Sequence, residues 1–379
     1  MDITELRGGI DRIDSELVKL FAERMDLSAR IAGYKRENNL PVLDAGRERE
    51  KYTSVLSQSP EALKDYTYQL FSMILELSRS YQNRLIGTTV LGDRIRAAIQ
   101  STDQLFPEYA SVACQGVEGA NSQFACDKLF KNANIMYTSS FEGVFAAIDK
   151  GLCRYGVVPV ENSSAGSVNK VYDLMMKYNF YIARSIRVKI EHNLLAKPGA
   201  KMEGIREIYS HEQAISQCSA FLATLKNVRV VPCENTAVAA RMVSESGRTD
   251  IAALASRPCM ELYGLSCLQE SVQNADNNYT RFICISKNLE IYPGANRTSI
   301  MLTLPHEQGS LFKLLSKLYA QGINLNKLES RPIPGREFEF MFYFDLDTPV
   351  YSPKLLECMD ELNSSLEKFV YLGSYSEAL

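Results

Sequence analysis

Apolar residues recur at alternating spacings of four and three at positions 6, 10, 13, 17, 20, 27, 31 and 34, and the one break in that series is Arg24. The period is that of one face of a helix. A guanidinium on a packed seam is costly unless an anion meets it. Lys35 lies three turns further on, about 20° around the helix, so it projects on nearly the same face. A second stripe starts with Phe71 and Leu75 and is continued by Ser78 and Gln82, and between the two stripes Asp44, Arg47 and Glu48 share one turn. Arg7 points about 100° away from Arg24, an orientation suited to a site built mainly by a second copy of the chain. Each residue alone fits a snorkelling or salt-bridged side chain at a bundle edge. As a set, inward cations, carboxylates, a serine and a glutamine describe a site for a small dianion. They include no nucleophile–base pair, so the chemistry they imply works by positioning and electrostatics.

Three polar clusters further along share a different character. Residues 157–168 read VVPVENSSAGSV, and Glu161, Asn162 and Ser163 follow a run that reads as a buried strand. Gly116–Ser122 also follows a strand and opens a helix, and Asn278-Tyr279-Thr280-Arg281-Phe282 leads into another strand. In open α/β sheets, ligands gather at the carboxyl ends of strands, where helix N-termini offer unpaired N–H groups. Taken singly, Glu161–Ser164 also reads as a helix cap and Thr280 as an ordinary strand residue. Arg281, next to Thr280 in a strand, should face the opposite side. Near the C-terminus, Gly309-Ser310-Leu311-Phe312 opens a helix and Glu329-Ser330-Arg331-Pro332 closes a strand. A glycine at a helix start allows close backbone approach, and the free N–H groups suit a carboxylate. The plain alternative is a capped helix start and a strand edge.

The elements that must carry these residues fall into three textures. A helix from residue 3 is stopped by Asn38-Asn39 and Pro41, a short one follows over 44–56, and Ser59-Pro60-Glu61 opens a third reaching Leu91. The first would be about 50 Å long, whereas a domain of roughly 100 residues has a radius of gyration of about 13 Å. Such a helix overhangs its own domain, which predicts an intertwined helical dimer. Residues 93–108 fit a connector. From 109 to 287 short strands alternate with helices, for example strands near 110–115, 154–160 and 281–286, which predicts a two-lobed doubly wound α/β domain. After a linker, 298–379 reads βαββαβ, the ferredoxin-like order, with a strand expected over Phe338–Leu346.

The chain has 379 residues, a net charge of −3 and 23% charged residues, so it carries no basic footprint for nucleic acid. No run of 18 apolar residues predicts a membrane span, and the acidic N-terminus does not read as a secretion signal. The 9 cysteines never form CxxC and there are only 3 histidines, so reduced thiols in the cytoplasm are expected and a metal site is not. Fingerprints for dinucleotides or NTPs are lacking, and no cofactor is expected.

The stretch LRGGIDRIDSELVKLFAERMDLSARIAGYK, followed by DAGRERE and LSRSYQ, closely resembles the all-helical chorismate mutases. The resemblance implies that residues 1–92 rearrange chorismate to prephenate by a pericyclic step. It implies that Arg24 and Arg47 hold substrate carboxylates, and that Arg7 reaches in from the other subunit. Lys35 and Gln82 would donate to the ether oxygen, and Asp44, Glu48 and Ser78 would hold the hydroxyl and orient the rest. VVPVENSSAGSV, YSHEQAISQC and NYTRF resemble motifs of the prephenate dehydratases, a likeness spanning essentially 110–287 within the domain expected over 109–287. It implies Thr280 as the group acting on the departing hydroxyl, with Ser122, Glu161, Asn162, Ser163 and Arg281 binding substrate. The loop Gly116–Cys126 departs from that family's GPxGxYSxxAA-type pattern, having Gln123 in its histidine slot. His211 is read first as structural, with a cap or a ligand contact as alternatives. GSLF and ESRP resemble the ACT-domain motifs that bind phenylalanine in such enzymes. The implied whole is a cytoplasmic bifunctional enzyme, inhibited by L-phenylalanine, forming a homodimer or larger. The competing reading is a mutase fused to a small-molecule sensor that does no chemistry.

Overall fold

The computed structural model describes residues 2–87, 90–333, 335–336 and 339–378. Helices α1 (Ile3–Glu37), α2 (Ala45–Ser57), α3 (Lys64–Ile86) and α4 (Val90–Ser101) open the chain. There follow β1 (Tyr109–Gln115), α5 (Asn121–Leu129), β2 (Asn132–Thr138), α6 (Phe141–Asp149), β3 (Tyr155–Asn162), β4 (Gly166–Ser167), α7 (Asn169–Tyr178), β5 (Tyr181–Lys189) and β6 (Asn193–Ala196). Next come β7 (Glu207–Ser210), α8 (Glu212–Gln217), α9 (Ser219–Thr224), β8 (Arg229–Pro232), α10 (Thr236–Glu245), β9 (Ile251–Ala255), α11 (Arg257–Leu262), β10 (Ser266–Gln269) and β11 (Tyr279–Ser286). The last stretch is β12 (Arg297–Thr303), α12 (Ser310–Ala320), β13 (Asn324–Pro332), β14 (Phe340–Asp347), α13 (Pro353–Ser365), β15 (Phe369–Tyr375) and β16 (Glu377–Ala378). These elements form two compact units: Met1–Arg96 with Leu302–Asn324 and Tyr351–Phe369, and Ala97–Met301 with Leu325–Val350 and Val370–Leu379.

In the first unit α3 packs against α1, α2, α12 and α13. A reciprocal capping box of Asp2 and Glu5 starts α1, and Asn38 and Asn39, the latter with φ 53°, end it. The apolar seam of α1 stays bare on the chain itself: Ile10, Ile13 and Leu17 are all more than half exposed. The third helix does not run to Leu91 as expected. Gly87, with φ 44°, ends α3 at Ile86, and α4 then occupies the start of the expected connector.

The second unit holds three sheets. The seven-stranded sheet runs β16-β5-β11-β3-β1-β2, with β4 paired to β3. Its β1, β2 and β3 are parallel, whereas β11 is antiparallel to both β3 and β5, so the sheet is mixed. A five-stranded sheet, β10-β6-β9-β7-β8, forms the other lobe. The chain crosses between lobes twice, from β5 to β6 and from β10 back to β11. The four-stranded sheet runs β13-β14-β12-β15, the strand order of the ferredoxin-like pattern. Phe338, the expected start of one of its strands, lies outside the described residues, and β14 begins at Phe340. Met301, Met341, Tyr343 and Leu372 of that sheet share one apolar core with Val144, Phe145 and Ile283. No helix among the described residues is long and apolar enough to cross a membrane.

One local expectation is overturned. The segment Glu161–Gly166 is not a strand-to-helix turn, because Gly166-Ser167 folds back on β3 as β4 and α7 starts only at Asn169. Glu161 and Asn162 belong to the strand, and residues 163–165 are a hairpin tip.

Candidate functional sites

In the first unit the Arg24 guanidinium donates to Ser78 Oγ, joining the two stripes across α1 and α3. Ser78 also donates to Ile74 O at 2.8 Å. Ser78 and Gln82 are buried, and among the described residues Gln82 Oε1 accepts no hydrogen bond. Arg24 has no ion-pair partner among those residues, and burial pushes its pKa below the usual arginine value. The half-buried Arg24 cation suits an anionic guest, and the unpartnered Gln82 oxygen suits a donor such as a hydroxyl on it. Lys35 donates to Val42 O at 2.5 Å, and Asp44 caps α2 by accepting from Arg47 N at 2.9 Å.

Other members of the expected set lie differently. The Arg47 guanidinium is exposed and meets Glu50 at 2.9 Å. Arg7 is exposed on α1 and has no part in the Arg24–Ser78 contact. Glu48 is held by Arg79, which also pairs with Glu76. Glu76 is 3.2 Å from Lys317 of α12, and Lys317 is 2.7 Å from Glu361 of α13. Burial alone would lower the Lys317 pKa, but Glu361 and Glu76 outweigh it and the net shift is upward. Burial alone would raise that of Glu76, but Lys317 and Arg79 outweigh it and the net shift is downward. Arg79 sits inside LSRSYQ, so its place in the motif was visible. Lys317 had no such signal.

In the second unit, cross-strand pairing sets Thr280 of β11 opposite Asn162 of β3. Asn162 Oδ1 accepts from the backbone N–H groups of Ser164 and Ala165 at 3.0 and 2.9 Å. Those two donors fix the amide orientation, so Nδ2 faces Thr280 Oγ1 at 2.9 Å and Asn278 Oδ1 at 2.8 Å. Thr280 Oγ1 therefore accepts from Asn162, and its own O–H is left to donate elsewhere. Gln217, at the end of α8 in the other lobe, accepts from Asn278 at 3.0 Å and lies 2.9 Å from His192 Nε2. Burial lowers the His192 pKa, a shift the Gln217 hydrogen bond only partly opposes. Ser163 Oγ donates to Asn277 O at 2.8 Å and accepts from Tyr279 N at 2.9 Å, so it pins the two segments together. Ser122 is buried in the first turn of α5, next to a loop in which Gly119 N donates to Gln123 Oε1 at 2.6 Å.

Two residues leave the expected substrate set. Strand alternation turns Arg281 and Glu161 to the face opposite Thr280 and Asn162. There Arg281 is 5% exposed and meets Glu161 at 3.1 Å, Asp345 and the Tyr375 hydroxyl. Glu161 also pairs with Lys327 at 2.6 Å. Arg281 is not free for a substrate carboxylate, and Glu161 is committed to two cations. Sequence reasoning assigned no role to Gln217 or His192, and Asn278 stood in the NYTRF cluster without one. Gln217 lies in YSHEQAISQC, where attention fell on His211, and His211 proves to be the N-cap of α8.

Gly309, with φ 82°, caps α12, and Phe312 in its first turn is 64% exposed. Glu329, Ser330, Arg331 and Pro332 end β13. The side chain of Glu329 meets Ser167 at 2.5 Å, and Arg331 meets Asp173 of α7 at 3.2 Å.

A family model described as prephenate dehydratase matches residues 112–290, and one described as chorismate mutase type II matches residues 6–83. A curated relative, the bifunctional chorismate mutase/prephenate dehydratase of Aquifex aeolicus (strain VF5), is 31% identical over 379 residues and covers 100% of this chain and 99% of its own. The solved prephenate dehydratase of Arthrobacter aurescens in complex with L-Phe is 26% identical with a TM-score of 0.65, over 71% of this chain and 90% of that one. A protein described as GqqA, a novel type of quorum quenching acylase, is 31% identical with a TM-score of 0.63, over 70% of this chain and 97% of its own.

Proposed function

The chain belongs to the bifunctional chorismate mutase/prephenate dehydratase family, and on that premise we propose a role for each part of its machinery. It rearranges chorismate to prephenate and converts prephenate to phenylpyruvate, two steps of phenylalanine biosynthesis. The first step is assigned to the helical part. Arg24 there takes a substrate carboxylate, and Lys35 and Gln82 donate to the ether oxygen, where negative charge grows as the C–O bond breaks. Ser78 and Glu48 orient the substrate, Asp44 holds the turn that presents Glu48, and Arg47 swings in from the surface. The bare seam of α1 supports a homodimer in which Arg7 completes the partner's site.

The second step is assigned to the cleft at Thr280. The C4 hydroxyl of prephenate must gain a proton and leave as water while the ring carboxylate leaves as CO₂. The electron pair of that C–C bond then completes the aromatic ring. A threonine is a weak acid, so its part rests on aim. The observation that carries this reading is the 2.9 Å contact from Asn162 Nδ2 to Thr280 Oγ1. It occupies the acceptor side of the hydroxyl and leaves its proton for the departing oxygen. Ser122 and the α5 N-terminus are assigned to a substrate carboxylate. The Thr280 hydroxyl meets an amide donor and not a base, an arrangement that favours dehydration over an acylase reaction needing an activated nucleophile. Residues 298–379 are read as the ACT unit, with Gly309–Phe312 and Glu329–Pro332 as the candidates for recognising L-phenylalanine, the inhibitor.

Asn162→Asp tests the dehydratase reading, because it replaces the donor by an acceptor of the same shape. Thr280 would then donate inward, and kcat for prephenate should fall about a hundredfold while the mutase rate holds. A fully active Asn162→Asp enzyme overturns the assignment.

A further inference from the structure

We propose that the dehydratase site is held in its working geometry from behind by charged side chains of β13 and β14, and that Lys327 is its principal positioning residue. The inference rests on the assignment of dehydration to Thr280. Strand register supplies the link: on β3 and β11 the pair Asn162–Thr280 is followed directly by the pair Glu161–Arg281. The first pair lies on the face that meets Gln217 of the other lobe, and the second on the face that meets β13 and β14.

That second face is populated by one comb of side chains. Lys327, Glu329 and Arg331 alternate along β13 with more exposed neighbours. Lys327 Nζ donates to Glu161 Oε2 at 2.6 Å and to Ser167 Oγ at 3.0 Å. It therefore grips both strands of the hairpin, since Glu161 and Ser167 are cross-strand partners. The tip of this hairpin supplies the N–H groups of Ser164 and Ala165 that orient Asn162. Glu329 accepts from Ser167 at 2.5 Å, and Arg331 holds Asp173 on the helix that follows. From β14, Asp345 holds Arg281, and Asp345 is itself bonded to Ser299. Nearly every one of these contacts is charge-assisted and partly or wholly buried, the kind that fixes orientation most strongly.

Without Lys327, Glu161 would have Arg281 as its remaining cationic partner and would compete with Asp345 for it. The end of β3 would then shift, and Asn162 with it. Small displacements of a donor aimed at a reacting group cost rate far more than affinity.

The test uses the full chain and three variants: Lys327→Met, Lys327→Arg and Asn162→Asp. Prephenate dehydration, the mutase rate and the thermal midpoint are measured on each. The expected result for Lys327→Met is a loss of about tenfold or more in dehydratase kcat with KM within about twofold and an unchanged mutase rate. Lys327→Arg, which keeps the charge, should recover most of it. A folded Lys327→Met with wild-type kcat overturns the inference, and so does an equal loss in Lys327→Arg. If Asn162→Asp is inactive while Lys327→Met is normal, the inference alone fails. If Asn162→Asp is fully active, the underlying site assignment fails.

Discussion

At the scale of single residues, His192 makes a prediction that no motif suggests. Burial keeps its imidazole neutral, with a pKa below the ordinary histidine value, and it touches Gln217 in the chain of amides that ends at Thr280. A base whose folded pKa is depressed stabilises the fold above its unfolded value, because below that value the unfolded chain gains the proton first. Stability should therefore decline as pH falls below about 6.5 and level off at the lower folded value. Thermal midpoints taken between about pH 5 and 7.5 should slope less in His192→Asn than in the natural chain, and equal slopes would refute the assignment. Thr280 and Asn162 were legible because their motif types and strand endings point to one place. Arg281 faces away from Thr280, as the period of two along the strand requires, and it is the substrate role implied by resemblance, for Arg281 and for Glu161, that fails. Gln217 and Asn278 lie in recognised motifs, but their roles were not legible, because an amide acts here through its orientation, which only the packed lobes set.

At the scale of elements, α1 carries the strongest sequence signal, since a spacing of four and three over nine positions survives most local perturbation, and α3 repeats it over four. The end of α3 was missed because a single Gly87 in an unusual conformation outweighed an otherwise continuous helical pattern. With the bare seam of α1 as the interface of the proposed dimer, Leu17→Glu should abolish dimerisation and mutase activity together, as light scattering beside a chorismate assay would show. A monomer with full mutase activity would contradict it. The row Glu48–Arg79–Glu76–Lys317–Glu361, half-buried apart from the buried Glu361, was not readable as a row, because only Glu76 and Arg79 are neighbours on one helix and the other members come from segments far apart in sequence. Removing one partner of a buried ion pair costs about 3–5 kcal/mol, so Lys317→Met should lower the unfolding free energy by that order. It should also raise the chorismate KM, since Arg79 would lean toward Glu76 and away from Glu48. Denaturant unfolding and mutase kinetics check both. Glu76 is held low and Lys317 high, so this stabilisation is complete between the unfolded carboxylate and lysine values, about pH 4.3 to 10.4. It is lost as pH falls through the folded value of Glu76 or rises through that of Lys317.

At the scale of the whole molecule, the two sets of chemistry sit in different compact units, with Arg24 and Ser78 in one and Asn162 and Thr280 in the other. The regulatory reading predicts that L-phenylalanine suppresses phenylpyruvate formation by the full chain. Asp345→Asn should blunt that response, because Asp345 ties the four-stranded sheet to Arg281. Inhibition curves for the two proteins decide it, and superimposable curves would rule Asp345 out of the coupling. Two consecutive reactions at separate sites on one chain can be lost one at a time. The most direct measurement gives chorismate to Thr280→Val and follows prephenate and phenylpyruvate together. Prephenate should accumulate at the natural rate with almost no phenylpyruvate. Phenylpyruvate forming at the natural rate, or the loss of both products in a folded protein, would contradict it.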